Sequence, residues 1–240
     1  LGGKTYDSEG YDLLGLITGS EGLLCVITEV TVKILKKPQS IKAALIGFPT
    51  IEAGGRCVSE IIASGIIPAG MEMMDKALIH ATDNFVKAGY PRDAESMLIV
   101  ELDGTETEVL ELIERVTKIA KKNKASSIKI SKNSKERLKF WAGRKAAFPA
   151  CGDMAPDYYC MDGTIPRNKL AEVLKEIKRL SKKYNLPVAN AFHAGDGNLH
   201  PLIMYDSNDK KALDKTEKFG AEILKYCVKV GGVLTGEHGV

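Results

Sequence analysis

Cysteine is scarce in this chain, and it shows no metal-cluster spacing. Only five of the 240 residues are cysteines, a scattered and odd-numbered set without a C-x-x-C pair. This distribution excludes a disulfide framework, a zinc ribbon and an iron–sulfur cluster built by the chain itself. We therefore expect reduced thiols in a cytosolic-type compartment.

Long apolar runs and an excess of one charge are also missing. The longest apolar stretches, such as residues 61–68, are far shorter than the roughly 20 residues that a membrane span needs. Lysine and arginine total 34 against 31 acidic residues, so the net charge of +3 does not favour a nucleic-acid partner. The 44% of hydrophobic residues indicates a globular chain with a sizeable core, in one large or two modest domains.

The ends of the chain and its first 37 residues differ from the rest. The chain begins without methionine and ends in a glycine-rich segment, residues 236–240, so we expect a piece of a longer protein. Residues 24–35 are rich in β-branched side chains and predict one long strand, which the Lys-Lys-Pro of residues 36–38 closes. We place a domain boundary there, with residues 1–37 as the remnant of one domain and residues 38–240 as a second domain truncated at its C-terminus.

Strand-like and helix-like stretches alternate from Ile41 onward, and several predicted strands follow one another directly. This order predicts an α+β fold with a mainly antiparallel sheet, helices on one face and a duplicated ferredoxin-like β-α-β arrangement. Thr50 is the predicted N-cap of a helix over residues 51–63, and periodicity predicts another helix over residues 69–88. The methionines of the latter stretch are expected in the core: Met71, Met73 and Met74.

Three of the four histidines lie in two short glycine-rich segments near the C-terminus. In the first, residues 193–200, Asp196-Gly197 predicts a two-residue type I′ hairpin turn. Such a turn places His193 opposite His200, on one sheet face with Asn198. Two neighbouring imidazoles beside an amide make half of a metal site. Two histidines on a sheet face can also be satisfied core residues, and this alternative stays open.

The second segment, residues 235–239, contains Glu237 and His238 between glycines. On its own it is also compatible with a simple exposed turn. A divalent ion held by two histidines takes a carboxylate as third ligand and keeps a position open for substrate. Glu237 could provide that carboxylate. His238 would then be free to act as a base near neutral pH.

These segments resemble FAD-linked oxidases of the vanillyl-alcohol-oxidase type, most closely the group of flavin-bearing glycolate oxidase subunits and D-lactate dehydrogenases. The resemblance covers essentially the whole chain and implies the C-terminal cap domain, preceded in residues 1–37 by a remnant strand of the FAD-binding domain. The matching segments are Gly19-Ser-Glu-Gly22, Val26-Ile-Thr-Glu29, Arg144-Lys-Ala-Ala-Phe-Pro149, residues 156–167, residues 193–200 and Gly236-Glu-His-Gly239.

The resemblance implies a role for each matching residue. The residues that match FAD contacts are Gly19, Ser20, Glu21, Gly22 and Val26. Ligands of a divalent metal, either zinc, manganese or iron, are matched by His193, His200 and Glu237. His238 matches the base that takes the hydroxyl proton of a 2-hydroxy acid, whose hydride passes from Cα to flavin N5. Arg144 matches the arginine that binds the substrate carboxylate, and we assign Asn198 to the substrate as well.

The resemblance also indicates the substrate and the partners. Cys160 stands where relatives specific for 2-hydroxyglutarate have a lysine, so we expect a small hydroxy acid such as glycolate or D-lactate. Electrons would pass to an iron–sulfur subunit or an electron-transfer flavoprotein. We expect a cytoplasmic location, with membrane contact only through partner subunits. Because the main phosphate-binding loop of the family would precede Leu1, we expect this chain alone to hold no flavin and to oxidise nothing.

Two other functions remain open from the sequence. One is a non-enzymatic ferredoxin-like module that binds a small metabolite or a metal for regulation. The other is metal-assisted hydrolysis in which His238 activates water.

Overall fold

The computed structural model describes residues 1, 10–20 and 22–238. Within these residues, seven strands form one sheet: β1 (Ser40–Phe48), β2 (Gly70–Asp75), β3 (Ser96–Gly104), β4 (Ser127–Ile130), β5 (Asp157–Cys160), β6 (Val188–His193) and β7 (Asn198–Tyr205). The α-helices are α1 (Leu13–Ile17), α2 (Ile51–Ala63), α3 (Lys76–Val86), α4 (Glu106–Lys122), α5 (Ser134–Lys145), α6 (Ala147–Ala150), α7 (Leu170–Tyr184) and α8 (Lys210–Lys229). Two 3-10 turns lie at Cys151–Asp153 and Arg167–Lys169.

The sheet consists of two similar units joined edge to edge, in the order β4-β1-β3-β2-β6-β7-β5. The first unit runs β1-α2-β2-β3-α4-β4, with α3 between β2 and β3. The second unit runs β5-α7-β6-β7-α8 and repeats the first without a fourth strand in the described residues. All strand pairs are antiparallel. The predicted α+β fold with a duplicated ferredoxin-like arrangement is confirmed.

The helices cover both faces of the sheet, so the expectation of helices on one face is wrong. On the first face, α2 and α4 pack over alternate β1 residues such as Ile46 and Phe48, while α7 packs over β6 and α8 over β7. On the second face, α5 packs over the intervening β1 residues, such as Ala43 and Leu45, while α3, with α6 against it, packs over β2, β3 and β6. Because both sets of side chains in β1 are apolar, both faces need a cover.

The segment predicted as a helix over residues 69–88 contains a strand followed by a helix. Residues 70–75 form β2, which pairs with β3 on one side and β6 on the other, and only residues 76–86 are helical. Pairing on both sides overrides the local helical periodicity. The three methionines are buried, as expected. The charged residue between them, Glu72, is buried as well and faces the second face of the sheet, as Met74 does.

The strand predicted over residues 24–35 is absent from the structure. The described residues 22–37 contain no regular element, and each described residue from 10 to 37 is exposed or half-buried. A strand needs a hydrogen-bonded neighbour, and within the described chain no strand of the sheet pairs with this stretch. Its apolar side chains therefore face outward, as Val26 and Ile34 do.

The cysteines and the helices bear on two of the expectations drawn from the composition. All five cysteines are free thiols, and burial raises the pKa of Cys57 to about 12 and that of Cys227 to about 11. No helix among the described residues combines the length and the hydropathy that crossing a bilayer requires.

A buried carboxyl at the start of α3 predicts a pH dependence of stability. Asp75 accepts hydrogen bonds from the Leu78 amide and the Asn190 side chain, but burial raises its pKa from 3.8 to about 6. The folded protein therefore binds this proton more tightly than the unfolded chain, so stability falls as the pH rises from about 4 to about 6.

We expect Asp75→Asn to remove this slope and to stabilise the chain above pH 6 by roughly 1–3 kcal/mol. The asparagine oxygen can still cap α3. Once the Asn190 amide turns over, its Oδ1, which lacks a partner among the described residues, can accept from the new NH₂. Denaturant unfolding at several pH values between about 4 and 7 gives the free energy of unfolding as a function of pH for the wild type and for the variant. Parallel curves for the wild type and the variant would contradict the assignment to Asp75.

Candidate active site

The β6–β7 hairpin has a longer turn than the sequence predicts. His193 pairs with Asn198, and His200 pairs with Ala191, so the loop contains four residues instead of two. The residues expected to pair across the loop bond elsewhere: the Gly195 amide donates to Met71 O on β2, and Gly197 O accepts from Ile165. The expectation that His193 lies opposite His200 is therefore wrong.

His193 and His200 nevertheless lie on the same face of the sheet, as predicted, despite the longer turn. The register differs from the expected one by two residues, and side chains alternate with a period of two, so each one keeps its face. The rings of His193 and His200 are perpendicular, with centroids 5.1 Å apart. Both lie on the second face of the sheet, with Asn198 beside them.

Glu237 joins the two histidines from the C-terminal segment. Its Oε1 lies 3.0 Å from His200 Nε2 and 3.5 Å from His193 Nε2. The His238 Nε2 is 3.8 Å from the same oxygen. The His238 ring stacks on His200 with centroids 5.8 Å apart and stays half exposed. The structure thus brings together the three residues predicted as metal ligands and places the predicted base beside them.

The other ring nitrogens show that this donor set suits a metal. His193 Nδ1 lies 2.7 Å from Glu72 Oε1, and His200 Nδ1 lies 3.2 Å from the carbonyl oxygen of Met161. Donation of Nδ1–H to these acceptors leaves the Nε2 lone pair of each ring facing Glu237. Histidines that bind metals use this pattern of an outer acceptor and a free nitrogen. The hydrogen bond to Glu72 raises the pKa of His193, whereas burial lowers that of His200.

Asp162 holds the C-terminal segment in place. Its Oδ2 accepts hydrogen bonds from the Thr235 hydroxyl and from the amides of residues 236, 237 and 238, at 2.7–3.1 Å. Its Oδ1 accepts from Asn198 at 2.9 Å. Burial alone would raise the pKa of Asp162, but these donors outweigh it and hold the pKa well below the usual range. Asp162 therefore fixes Glu237 and His238 relative to the hairpin.

A second set of donor atoms is also close together. Ligand atoms of Asp162, His200, Glu237 and His238 all lie within 4.8 Å of one another. In this set the Asp162 oxygens already accept five hydrogen bonds, so coordination there would cost several of them. The set of His193, His200 and Glu237 uses two Nε2 atoms whose rings are already oriented by other partners.

Arg144, near the end of α5, reaches the site through Glu72. Its Nε donates to Glu72 Oε2 at 2.9 Å, and the residue is only 8% exposed. The two terminal nitrogens of its guanidinium make no hydrogen bond to the described residues, so they remain available to an anion. Asn198 donates to Asp162 and Thr164, and its buried Oδ1 has no partner within the described chain.

The described residues among those predicted to contact FAD make no hydrogen bond to this cluster. Gly19 and Gly22 have positive φ angles of 77° and 80°, and Val26 is 86% exposed. Glu21 lies outside the described residues. No hydrogen bond links the described residues 10–37 to the β6–β7 hairpin. The exposed glycine backbone, with Ser20 between the two glycines, is compatible with a contact to a dinucleotide.

Residues 37–240 match the family model of FAD linked oxidases, C-terminal domain. The chain belongs to this family. This FAD-linked oxidase chain is 54% identical over 240 residues to glycolate oxidase subunit GlcD of Escherichia coli (strain K12), a match that covers 100% of this chain and 48% of the relative. The resemblance inferred from the sequence is confirmed.

Further relatives agree with this membership. The FAD-linked oxidase chain is 33% identical over 233 residues to the mitochondrial D-lactate dehydrogenase (cytochrome) of Arabidopsis thaliana, covering 96% of this chain and 41% of the relative. The chain spans about half the length of the curated relatives it matches. A solved structure of alkyldihydroxyacetonephosphate synthase shares the fold, with a TM-score of 0.66 and 18% identity over 95% of this chain and 46% of that chain.

Two acidic residues of the site in this FAD-linked oxidase chain, Glu72 and Asp162, are not predicted from the sequence. The methionines around Glu72 fit a helix as well as a strand, so the sequence does not show which way its side chain faces. Asp162 belongs to a segment that carries the family resemblance, but nothing local indicates its contact with residues more than 70 positions away. Alternation of a buried charge with methionines is the signal that could have indicated Glu72.

Proposed function

We propose that this chain is the substrate- and metal-binding part of an FAD-dependent 2-hydroxy-acid dehydrogenase, with residues 38–240 forming the cap and residues 1–37 belonging to the FAD-binding domain. The observation that carries this proposal is the convergence of His193 Nε2 and His200 Nε2 on Glu237 Oε1. Membership of the FAD-linked oxidase family and the names of the relatives support it.

The proposed site assigns one task to each side chain. His193, His200 and Glu237 would hold a divalent ion, either zinc, manganese or iron. Bound there, the ion would acidify the hydroxyl of the substrate. His238 accepts the hydroxyl proton. Arg144 binds the carboxylate of the acid through the guanidinium nitrogens that Glu72 leaves free. Gly19, Ser20, Glu21, Gly22 and Val26 would contact FAD, which would serve as the hydride acceptor.

The proposed substrate is a small hydroxy acid, glycolate or D-lactate. Cys160 is half-buried, and burial raises the pKa of its thiol to about 12, so it stays neutral and offers no charge to a second carboxylate. Asn198 would accept a hydrogen bond from the substrate, a role supported by its Oδ1, which has no partner within the described chain. The names of the two relatives, glycolate oxidase subunit and D-lactate dehydrogenase, support the same choice.

The electron acceptor and the location belong to the same proposal. The E. coli relative is named as a subunit, which supports transfer of electrons to a partner subunit or an electron-transfer flavoprotein. The chain would then work in the cytoplasm and reach a membrane only through such a partner.

Metal analysis and anaerobic flavin bleaching of the full-length protein test this function. We expect about one bound divalent ion per chain and rapid bleaching by glycolate or D-lactate. In zinc-loaded crystals, both Nε2 atoms should lie about 2.0–2.1 Å from the ion. Bound metal without bleaching by any hydroxy acid would favour a non-enzymatic metal-binding module, and an ion coordinated by Asp162 instead of His193 would contradict the proposed ligand set.

Arg144→Lys in the full-length protein is expected to lower kcat/KM by at least about tenfold. Lysine keeps the charge, but its single ammonium cannot contact Glu72 and chelate a carboxylate in the planar arrangement of a guanidinium. Steady-state kinetics with the preferred hydroxy acid measure the loss. Arg137→Lys is the matched control, because Arg137 is on the same helix and pairs with Glu101 outside the site. Equal kinetics of the two variants would remove Arg144 from substrate binding.

A further inference from the structure

Glu72 connects the two functional parts of the site. It pairs directly with His193 across β2 and β6, and its Oε1 lies 2.7 Å from His193 Nδ1. Its Oε2 accepts from Arg144 Nε at 2.9 Å. The residue is only 9% exposed, so both contacts lie in an environment where a carboxylate is costly without partners. One buried carboxylate therefore contacts both a proposed metal ligand and the proposed substrate arginine.

We propose that Glu72 is a positioning residue that fixes the tautomer and orientation of His193 and, through its other oxygen, the direction of Arg144. By accepting Nδ1–H, it keeps the Nε2 lone pair of His193 turned toward Glu237. By accepting Nε–H, it leaves the terminal guanidinium nitrogens to the substrate. This inference rests on the proposed function, because it assumes that His193 binds a metal and Arg144 a carboxylate.

The chemistry of the two contacts requires a carboxylate at this position. Both partners are donors, and the two oxygens of Glu72 each accept one of them. Glutamine has the same shape but only one accepting oxygen, and its NH₂ would face a second donor. The guanidinium is charged and competes better for that oxygen. In Glu72→Gln, His193 is therefore the partner that loses its acceptor, and the glutamine NH₂ facing Nδ1 favours the tautomer with the proton on Nε2.

A second glutamate of the sheet supplies the matched control. Glu101 on β3 accepts from Arg137 Nη1 at 2.9 Å and from the Trp141 indole. Both partners belong to α5, the helix that also carries Arg144. Glu101→Gln thus removes the same charge from a comparable pair between strand and helix, and no histidine is involved. Any effect common to Glu72→Gln and Glu101→Gln reports a general loss of stability.

Zinc titration of the 240-residue chain by calorimetry, with thermal unfolding of each variant, provides the first test. We expect Glu72→Gln to bind zinc about 10–100-fold more weakly than the wild type. Glu101→Gln should stay within about twofold of the wild type. If Glu72→Gln does not fold, Glu72→Asp takes its place, because it keeps the charge and moves the oxygens back by one methylene.

Long-range ¹H–¹⁵N NMR of the metal-free chain at a mildly alkaline pH provides a readout that lost stability alone does not change. The wild type should show His193 protonated at Nδ1, and Glu72→Gln should show the proton shifted to Nε2. A wild-type chain that binds no zinc would refute the metal site, while the ring spectra would still decide the role of Glu72. Unchanged zinc affinity and unchanged His193 spectra in the folded Glu72 variant would overturn the inference.

Discussion

Asp162→Ala is expected to release the segment of residues 235–238 and to weaken zinc binding by about 100-fold or more. The Asp162 Oδ2 accepts one hydroxyl and three backbone amides from this segment. Hydrogen bonds to a charged acceptor contribute roughly 1.5–3 kcal/mol each. Without them, Glu237 loses the position that brings it to His200 and His193, and His238 moves with it.

Calorimetry with zinc and hydrogen exchange of the amides of residues 236–238 measure this effect. Asp157→Ala is the matched control, because the Asp157 side chain accepts from a single backbone amide, that of Ser207, at a turn outside the site. We expect normal zinc affinity for the control, and loss of amide protection only for Asp162→Ala. Retained protection together with unchanged affinity would show that the segment is held by other contacts.

Gly143→Ala is expected to destabilise the chain by about 2–3 kcal/mol. In an ordinary helix this substitution stabilises by up to about 1 kcal/mol. Here the added methyl would overlap the buried Tyr90 ring at Cζ, Oη and Cε2. The Tyr90 hydroxyl donates to the carbonyl oxygen of Phe140, so the ring cannot move away without losing that bond. Displacement of α5 at this point would also withdraw Arg144 from Glu72.

Thermal and denaturant unfolding compare this variant with Gly152→Ala. A Cβ at Gly152 would meet nothing within 4 Å, so this control should unfold close to the wild type. A Gly143→Ala chain as stable as the control would mean that α5 and Tyr90 separate at little cost. The close contact between helix and ring would then not be what positions Arg144.

The sequence alone predicts which histidines meet, but not how the hairpin brings them together. The period of two in a strand places His193 and His200 on one face for any even shift of register, so this inference tolerates the wrong turn. The turn itself depends on long-range bonds, from Gly195 to β2 and from Ile165 to Gly197. A local dipeptide preference cannot anticipate such partners.

Glu72 and Asp162 show where sequence reasoning fails. The methionines around Glu72 suit a helix or a strand, and only pairing with β3 and β6 decides between them. Asp162 contacts residues 235–238, which lie 73 to 76 positions further along the chain. Contacts over such separations depend on the whole fold. By contrast, the helix over residues 51–63 follows from its own periodicity and the Thr50 cap, and it forms as predicted.

The short β2–β6 junction also explains why a charged residue is tolerated in the middle of the sheet. Three residue pairs join the two units there, among them Glu72 with His193. Because β3 holds β2 in place, a slip of one residue at this junction would turn His193 to the other face of the sheet and leave Glu72 without that partner. Odd shifts of register between the two units are thereby penalised. The Glu72 carboxylate proposed to orient the site thus also helps to fix the register between the two units of the duplicated fold.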